Sequence, residues 1–271
     1  MTGEAVTHDD LVAGLTALGL PEGGLLLVHC SMRRIGRVDG GAATLLAALR
    51  TVGGPAVTIV VPAQTPDNSL TSPVYRTATA GMTGAERARY VAGMPGFDPD
   101  HTPSYGVGVF AEQIRSHPGA LRSRHPQTSF AALGPEAAAV VAVHDLDCHL
   151  GERSPLGTLY RRHAMILMLG AGMAKCTALH LAEYRLGGPV PTMDYSCFMS
   201  KNGQRIPLRF SARKLNDSDF QEAGNDILRH SWAITGQVGG AEAHLLPLAP
   251  AVDQARRWFS TSRRINNEIN Q

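Results

Sequence analysis

The 271-residue sequence has almost no surplus charge: 25 Lys and Arg stand against 23 Asp and Glu, a net +2 with histidine neutral. Nucleic acids and anionic membranes are held by clustered surplus cations, so this balance gives no case for either partner. No apolar run reaches the ~18 residues that a membrane-spanning helix needs. Cys30, Cys148, Cys176 and Cys197 show no CxxC spacing and no secretory signal precedes them, so reduced thiols in a cytoplasmic protein are expected. The GxxxxGK(S/T) and GxGxxG loops are missing, which removes nucleotide binding by those motifs. No internal repeat or linker divides residues 1–271, and a single domain is expected.

What is present is an ordinary globular composition, 44% apolar, with 29 Gly and 17 Pro that suit many ordered loops. Thr7 and two acidic residues open a helix over 7–19 that Gly19 closes, with Leu11, Leu15 and Leu18 as its apolar stripe. LLLVHCS (25–31) reads as a central parallel strand, followed by a helix after Gly41 and a strand at AVTIVVP (56–62). This order is that of an α/β sheet with ligand-binding loops beyond its strand ends. Residues 63–106 carry no strong periodicity apart from a helical piece at 84–93, and a loop that long is usually functional. Helices are expected at 106–116, at 135–143 and from Ser154-Pro155, with a strand in SFAALG. The turn Asn202-Gly203 predicts a hairpin within 190–220. A helix at 219–231, a strand at 241–248, a helix at 250–260 and a frayed 261–271 follow.

The densest chemistry lies in MILMLGAGMAKCTALHLAEYRL (165–186), an apolar strand running through glycines into a helix. Spacings of four and three place Cys176, His180 and Glu183 on one helical face. An isolated His–Glu pair is most often a surface contact, but this one is bracketed by Leu179, Leu181 and Ala182, and buried polar groups need partners or a function. The loop 31–41 combines Ser31, Arg33, Arg34 and Arg37 with glycines that permit close backbone approach to a phosphate-bearing ligand. Arg115, Arg122, Arg124 and His125 form a second basic cluster, also readable as a phosphate site.

Four segments at consistent mutual spacing, VHCSMRRIGRVDGGAATLLAALR, FDPDHTPSYGVGVFAEQIRSHPGALRSRHPQTSFAALGP, GERSPLGTLYRRHAMILMLG and TALHLAEYR, resemble the aminoglycoside 3-N-acetyltransferases that do not use the GNAT fold. The resemblance spans roughly residues 10–190 and continues more weakly to the terminal RWF. It implies an α/β fold with a mixed central sheet flanked by helices and an additional antiparallel β portion in the C-terminal third, within 190–250. It also implies transfer of acetyl from acetyl-coenzyme A to the 3-amino group of the deoxystreptamine ring of aminoglycoside antibiotics, conferring resistance, with no metal. Carried over residue by residue, it places the catalytic histidine at His180 and its acidic companion at Glu183. The coenzyme segment falls on Ser31, Met32 and the following Arg33, Ile35, Gly36 and Val38, with His125 and Ser129 along the same channel. Cys176 stands where members commonly have Asn or Asp-Ser. KLNDSDF matches the family's acidic cluster imprecisely, which leaves Glu183 and Asp217 as alternatives for the carboxylate that orients the histidine.

An amine attacks a thioester only when neutral, and an imidazole with an ordinary pKa of ~6.5 is suited to take its proton. The oxyanion that then forms needs donors, for which the Ser31 to Arg33 backbone is a candidate. A polycationic acceptor calls for acidic walls, so Asp67, Glu152, Asp217 and Asp219 are the candidate substrate-binding residues. Three other readings stand beside this one: acetylation of a different small-molecule amine, acylation of Cys176 as an intermediate, and a non-catalytic or metal-dependent role for His101, His125, His144 and His149, whose spacing matches no HExxH or similar ligand set. The long loops can cover the cleft or form a homodimer contact.

Overall fold

The computed structural model describes residues 4–189 and 191–269, with side chains described as far as Arg263. The first half contains α1 (His8–Ala17), β1 (Leu25–Cys30), α2 (Met32–Ile35), α3 (Gly41–Gly53), β2 (Thr58–Pro62), α4 (Pro73–Ala78), α5 (Gly84–Gly93), α6 (Val109–Arg115), β3 (Leu121–Arg122) and β4 (Phe130–Leu133). The second half contains α7 (Ala137–Val141), α8 (Pro155–Arg161), β5 (Met165–Leu169), α9 (Leu179–Tyr184), β6 (Thr192–Lys201), β7 (Gln204–Arg213), α10 (Phe220–Ile227), β8 (Ile234–Val238), β9 (Ala241–Pro247) and α11 (Leu248–Ile269).

Seven strands form one mixed sheet in the order β3-β4-β2-β1-β5-β9-β8. The centre is parallel, with β1 between β2 and β5, and both flanks are antiparallel. Successive side chains of a strand point to opposite faces, and here both faces are covered. Leu26, Val28, Ile59, Val61, Leu167 and Leu169 pack with Leu11, Leu15, Leu45, Leu49 and Phe110 of α1, α3 and α6. Leu25, Leu27, Val60, Ile166 and Met168 pack with Leu156, Leu159, Leu179, Phe220 and Phe259 of α8 to α11. This explains why the central strands read as continuous apolar runs. The expected α/β class, mixed sheet and antiparallel C-terminal portion are all present.

Local signals acted as their chemistry requires. Thr7 and Asp10 form a reciprocal capping box on α1, and Gly19 takes φ +79° just beyond its end. Asn202 and Gly203 both have positive φ, 53° and 74°, the type I′ turn that joins β6 to β7. That hairpin stands apart from the main sheet and is stitched to the 63–106 segment. Phe97 N donates to Phe198 O and Ser200 N to Phe97 O, both 2.8 Å, and Leu70 N donates to Ser196 O, 2.8 Å. The long loop is thereby ordered and carries α4 as well as the expected α5.

Three expectations are corrected. Cys176 does not share a helical face with His180, because α9 begins only at Leu179 and Cys176 closes a short 3-10 turn over Met173–Lys175. The last helix does not stop near 260 but continues to Ile269. A strand at Ile234–Val238, absent from the sequence reading, forms the sheet edge beside β9. Among the described residues no helix is long and apolar enough to cross a membrane.

Candidate active site

The parallel strands β1, β2 and β5 all run toward one edge of the sheet, where a cleft of about 830 Å³ opens. Its floor is built from the residues that follow those strand ends, namely His29 to Ser31, Pro62 and Gln64, and Gly170 to Gly172. Ligands of open α/β sheets bind in this position because the strand ends splay and loops replace the packed layers. Gly170 turns the chain out of β5 with φ +65°, and a Cβ there would lie 2.6 Å from Arg34 Cβ. Only glycine allows that loop and the α2 segment to meet at the floor.

His180 enters the cleft from the first turn of α9. Its Nδ1 lies 2.6 Å from Glu183 Oε2, and the two side chains are 12% and 3% exposed. The Phe220 ring, 4.6 Å away, packs against the imidazole. Glu183 Oε1 in turn accepts from Arg263 Nη1 at 2.7 Å and from the Asn216 backbone N–H at 3.2 Å. Arg263 is gripped by Asp219, with Nε to Oδ2 and Nη2 to Oδ1 both 2.7 Å, and lies 4.0 Å over Phe259. Burial disfavours the charge of Arg263, but its bonds to Asp219 and Glu183 outweigh this and raise its pKa above the ordinary value. A carboxylate behind Nδ1 fixes the tautomer and leaves Nε2 free of protein partners among the described residues, directed to an open cleft.

Arg263 therefore braces the His180–Glu183 pair from α11, where the sequence predicts a frayed end. Replacing it with Met strands two carboxylates beside one another without their cation. Removing one member of a buried charged set costs about 3–5 kcal/mol. Because Arg263 and Asp219 keep 22% and 20% exposure, the lower end applies. A melting temperature lower by about 6–12 °C is expected for Arg263→Met, with Arg263→Lys intermediate because an ammonium lacks the two-pronged geometry. Differential scanning calorimetry checks both.

The cleft gathers Ser31, Met32, Arg33, His180 and Asp217 from the expected residues. The carboxylate on His180 is Glu183, whereas Asp217 is exposed on the cleft wall. Ile35, Gly36 and Val38 lie outside the lining: Ile35 is fully buried in the α1–α3 layer, and Val38 bridges to Val6. Ser129 and His125 are buried outside it as well. Ser129 accepts from Arg122 Nε at 3.0 Å and donates to Ala63 O at 2.7 Å. The Arg122 guanidinium also binds the carbonyls of Thr102 and Ala63, and Arg115 is held by Glu112 at 2.7 Å, so neither arginine is free for a phosphate. Asp219 is committed to Arg263, and Glu152 to Arg185 at 2.5 Å. Asp67 is half-buried next to the lining residue Pro66, and burial pushes its carboxyl up from the ordinary value.

His125 packs against His144 and His149 with tilted rings at centroid separations of 4.7 and 4.6 Å, beside Tyr195 and Phe210 of the hairpin. Among the described residues no group of three or more His, Cys, Asp or Glu is arranged to hold a metal ion. Sequence reading also missed His29, at the end of β1, whose Nε2 lies 3.0 Å from Thr177 Oγ1. The only signal for it was its position as the sole polar residue in an apolar strand.

A cleft at the carboxyl ends of parallel strands, entered by an imidazole with a buried carboxylate behind it, is the arrangement of an α/β enzyme site. Residues 27–260 match the family model for aminoglycoside 3-N-acetyltransferase, and the chain belongs to that family of acyltransferases. It is 34% identical over 277 residues to the SPbeta prophage-derived aminoglycoside N(3')-acetyltransferase-like protein YokD of Bacillus subtilis strain 168, covering 98% of this chain and 93% of the relative. The crystal structure of YokD superposes with a TM-score of 0.88 at 32% identity, over 97% of this chain and 96% of that one. Sisomicin-bound AAC-VIa superposes at 0.79 and 30% identity, over 95% and 98% of the two chains. AAC-IIIb in binary complex with CoASH gives 0.81 at 28% identity, over 94% and 97%.

Proposed function

We propose that this protein transfers acetyl from acetyl-coenzyme A to the 3-amino group of the deoxystreptamine ring of an aminoglycoside, by direct attack with His180 as general base, and so confers resistance. The observation that carries the base assignment is the 2.6 Å bond from His180 Nδ1 to Glu183, with the ring at the cleft wall. Two relatives support the ligands, one solved with CoASH and one with sisomicin. Acetyl-coenzyme A is the cosubstrate.

The amine loses a proton to His180 Nε2 as its lone pair attacks the thioester carbon. Glu183, bonded to Nδ1, stabilises the imidazolium that forms. The C–S bond then breaks, and the proton held by His180 passes to the departing thiolate. Arg33, Arg34 and Lys175, all in the lining, suit the coenzyme's phosphates. Asp217 is the single Asp or Glu among the lining residues, so it is the group placed to receive a second ammonium of the acceptor. Thiol release from acetyl-coenzyme A across an aminoglycoside panel tests the reading. Turnover with at least one member and a regiospecific 3-N-acetyl product are expected; no turnover on any member would move the search to another small amine.

The acyl-enzyme alternative meets an obstacle in the geometry. Cys176 is fully buried, and burial pushes its thiol up to about 12, so a nucleophilic thiolate is not formed at neutral pH. Cys176→Ala is expected to keep kcat within a few-fold, and mass spectrometry of enzyme quenched during turnover should find no acetylated thioester.

A further inference from the structure

The oxyanion of the tetrahedral intermediate needs a donor, and the backbone near Ser31 supplies less than its sequence suggests. The Ser31 N–H already donates to Leu169 O at 2.9 Å. A side-chain hydroxyl stands in the same cleft: Thr177, three residues before His180, whose carbonyl accepts the His180 N–H at 3.1 Å. Among the described residues its Oγ1 meets one hydrogen-bond partner, Nε2 of His29 at 3.0 Å. His29 also lines the cleft, from the end of β1, so the pair bridges the two loops that border the reacting centre.

We propose that Thr177 is a catalytic residue that donates its hydroxyl proton in a hydrogen bond to the thioester oxyanion, and that His29 is a positioning residue that holds Thr177 in that orientation. The proposal deepens the acetyltransfer reading and rests on it. As the amine forms its bond to the carbonyl carbon, the C=O π pair moves onto oxygen, where the Thr177 O–H meets it. When the C–S bond breaks the pair returns and the hydrogen bond weakens, with the proton remaining on Thr177 throughout. The arrangement requires His29 to donate from Nε2–H to Thr177 Oγ1, so that the threonine proton points away from His29 and into the cleft. An imidazolium would compete with the oxyanion for charge; burial holds His29 neutral, with its pKa pushed down to about 4. A donor fixed before the reaction serves best, since nothing need reorganise as charge develops.

The test compares Thr177→Val, nearly isosteric but without a donor, with Thr177→Ser, and His29→Phe with His29→Gln, which keeps an amide N–H. Two assays separate this proposal from the acceptor reading: turnover with the preferred aminoglycoside, and acetyl transfer to hydroxylamine, which is largely neutral at pH 7 and needs no polycation subsite. Thr177→Val is expected to lose about 10²–10³ in kcat in both assays, as for removal of one oxyanion donor, with coenzyme A affinity by calorimetry unchanged. Thr177→Ser should recover most of the rate, and His29→Gln should exceed His29→Phe by tenfold or more. A Thr177→Val rate within twofold of wild type would overturn the proposal. So would a loss explained by weaker coenzyme binding, or a wild type that fails to accelerate hydroxylaminolysis of acetyl-coenzyme A. Failure on every aminoglycoside, with the hydroxylamine pattern intact, would leave it standing and reject only the acceptor.

Discussion

His180→Gln is expected to lose about 10³ in kcat, near the middle of the 10²–10⁴ that a positioned base contributes, or about 4 kcal/mol of barrier. Glutamine fills much of the ring's volume and can still meet Glu183, so the loss reports the missing base and not a collapsed wall. The KM for acetyl-coenzyme A should hardly move, because the cations suited to its phosphates, Arg33, Arg34 and Lys175, come from other loops of the cleft. The pH profile separates this from a folding defect. In the variant the residual rate depends on solvent-deprotonated amine, so kcat/KM should climb about tenfold per pH unit toward the amine's own pKa, whereas the wild-type rate should depend on pH less steeply. A variant with near-normal turnover and a level profile would remove His180 from the mechanism.

The second large effect concerns stability in acid. Burial pushes His29 and His125 down to about 4, His149 to about 2 and His144 well below its ordinary value. Neutral and packed in the fold, these imidazoles regain an ordinary pKa of ~6.5 in the unfolded chain. Below that pH the unfolded state binds protons that the native state refuses, so stability falls as pH falls and keeps falling until the native pKa values near 4 are reached. Each histidine contributes up to about 1.4 kcal/mol per pH unit, so four together make the slope steep. Melting temperatures measured between pH 7 and 5, above the range where most carboxylates titrate, should drop with a slope that steepens from uptake of about one proton on unfolding at pH 7 to nearly four at pH 5. His144→Asn should reduce that uptake by about one. A flat profile over the same window would mean that the cluster is hydrated and charged.

What the sequence made legible was local. A capping box, a type I′ turn and an i,i+3 pair each depend on residues within four positions, so Thr7, Asn202-Gly203 and His180-Glu183 announced themselves. Long-range partners did not. Residues 261–269 offer only Ile265 and Ile269 as apolar residues, and the ion pairs that hold the beginning of this segment run from Arg263 to residues 44 and 80 positions away. The edge strand at Ile234–Val238 is mostly exposed and interrupted by Gly236, so it lacks the alternation that marks a half-buried strand. Cys176 was grouped with His180 because helical spacing was extended one turn too far upstream; Gly170, Gly172 and the 3-10 turn delay α9 until Leu179. Within the segment that the family resemblance assigns to the coenzyme, Ile35 at the end of a short helix and Val38 beyond it bury their side chains in the core.

The Arg263 clamp also sets an order of events during synthesis. Glu183 leaves the ribosome 80 positions before the guanidinium that braces it, an interval of about 4–16 s at 5–20 residues per second. Through that interval the parallel core can assemble, yet the buried carboxylate lacks its countercharge. The site is therefore completed only once residue 263 has appeared, and an interrupted translation product that ends upstream of it would contain every lining residue of the cleft with the His180–Glu183 pair unbraced.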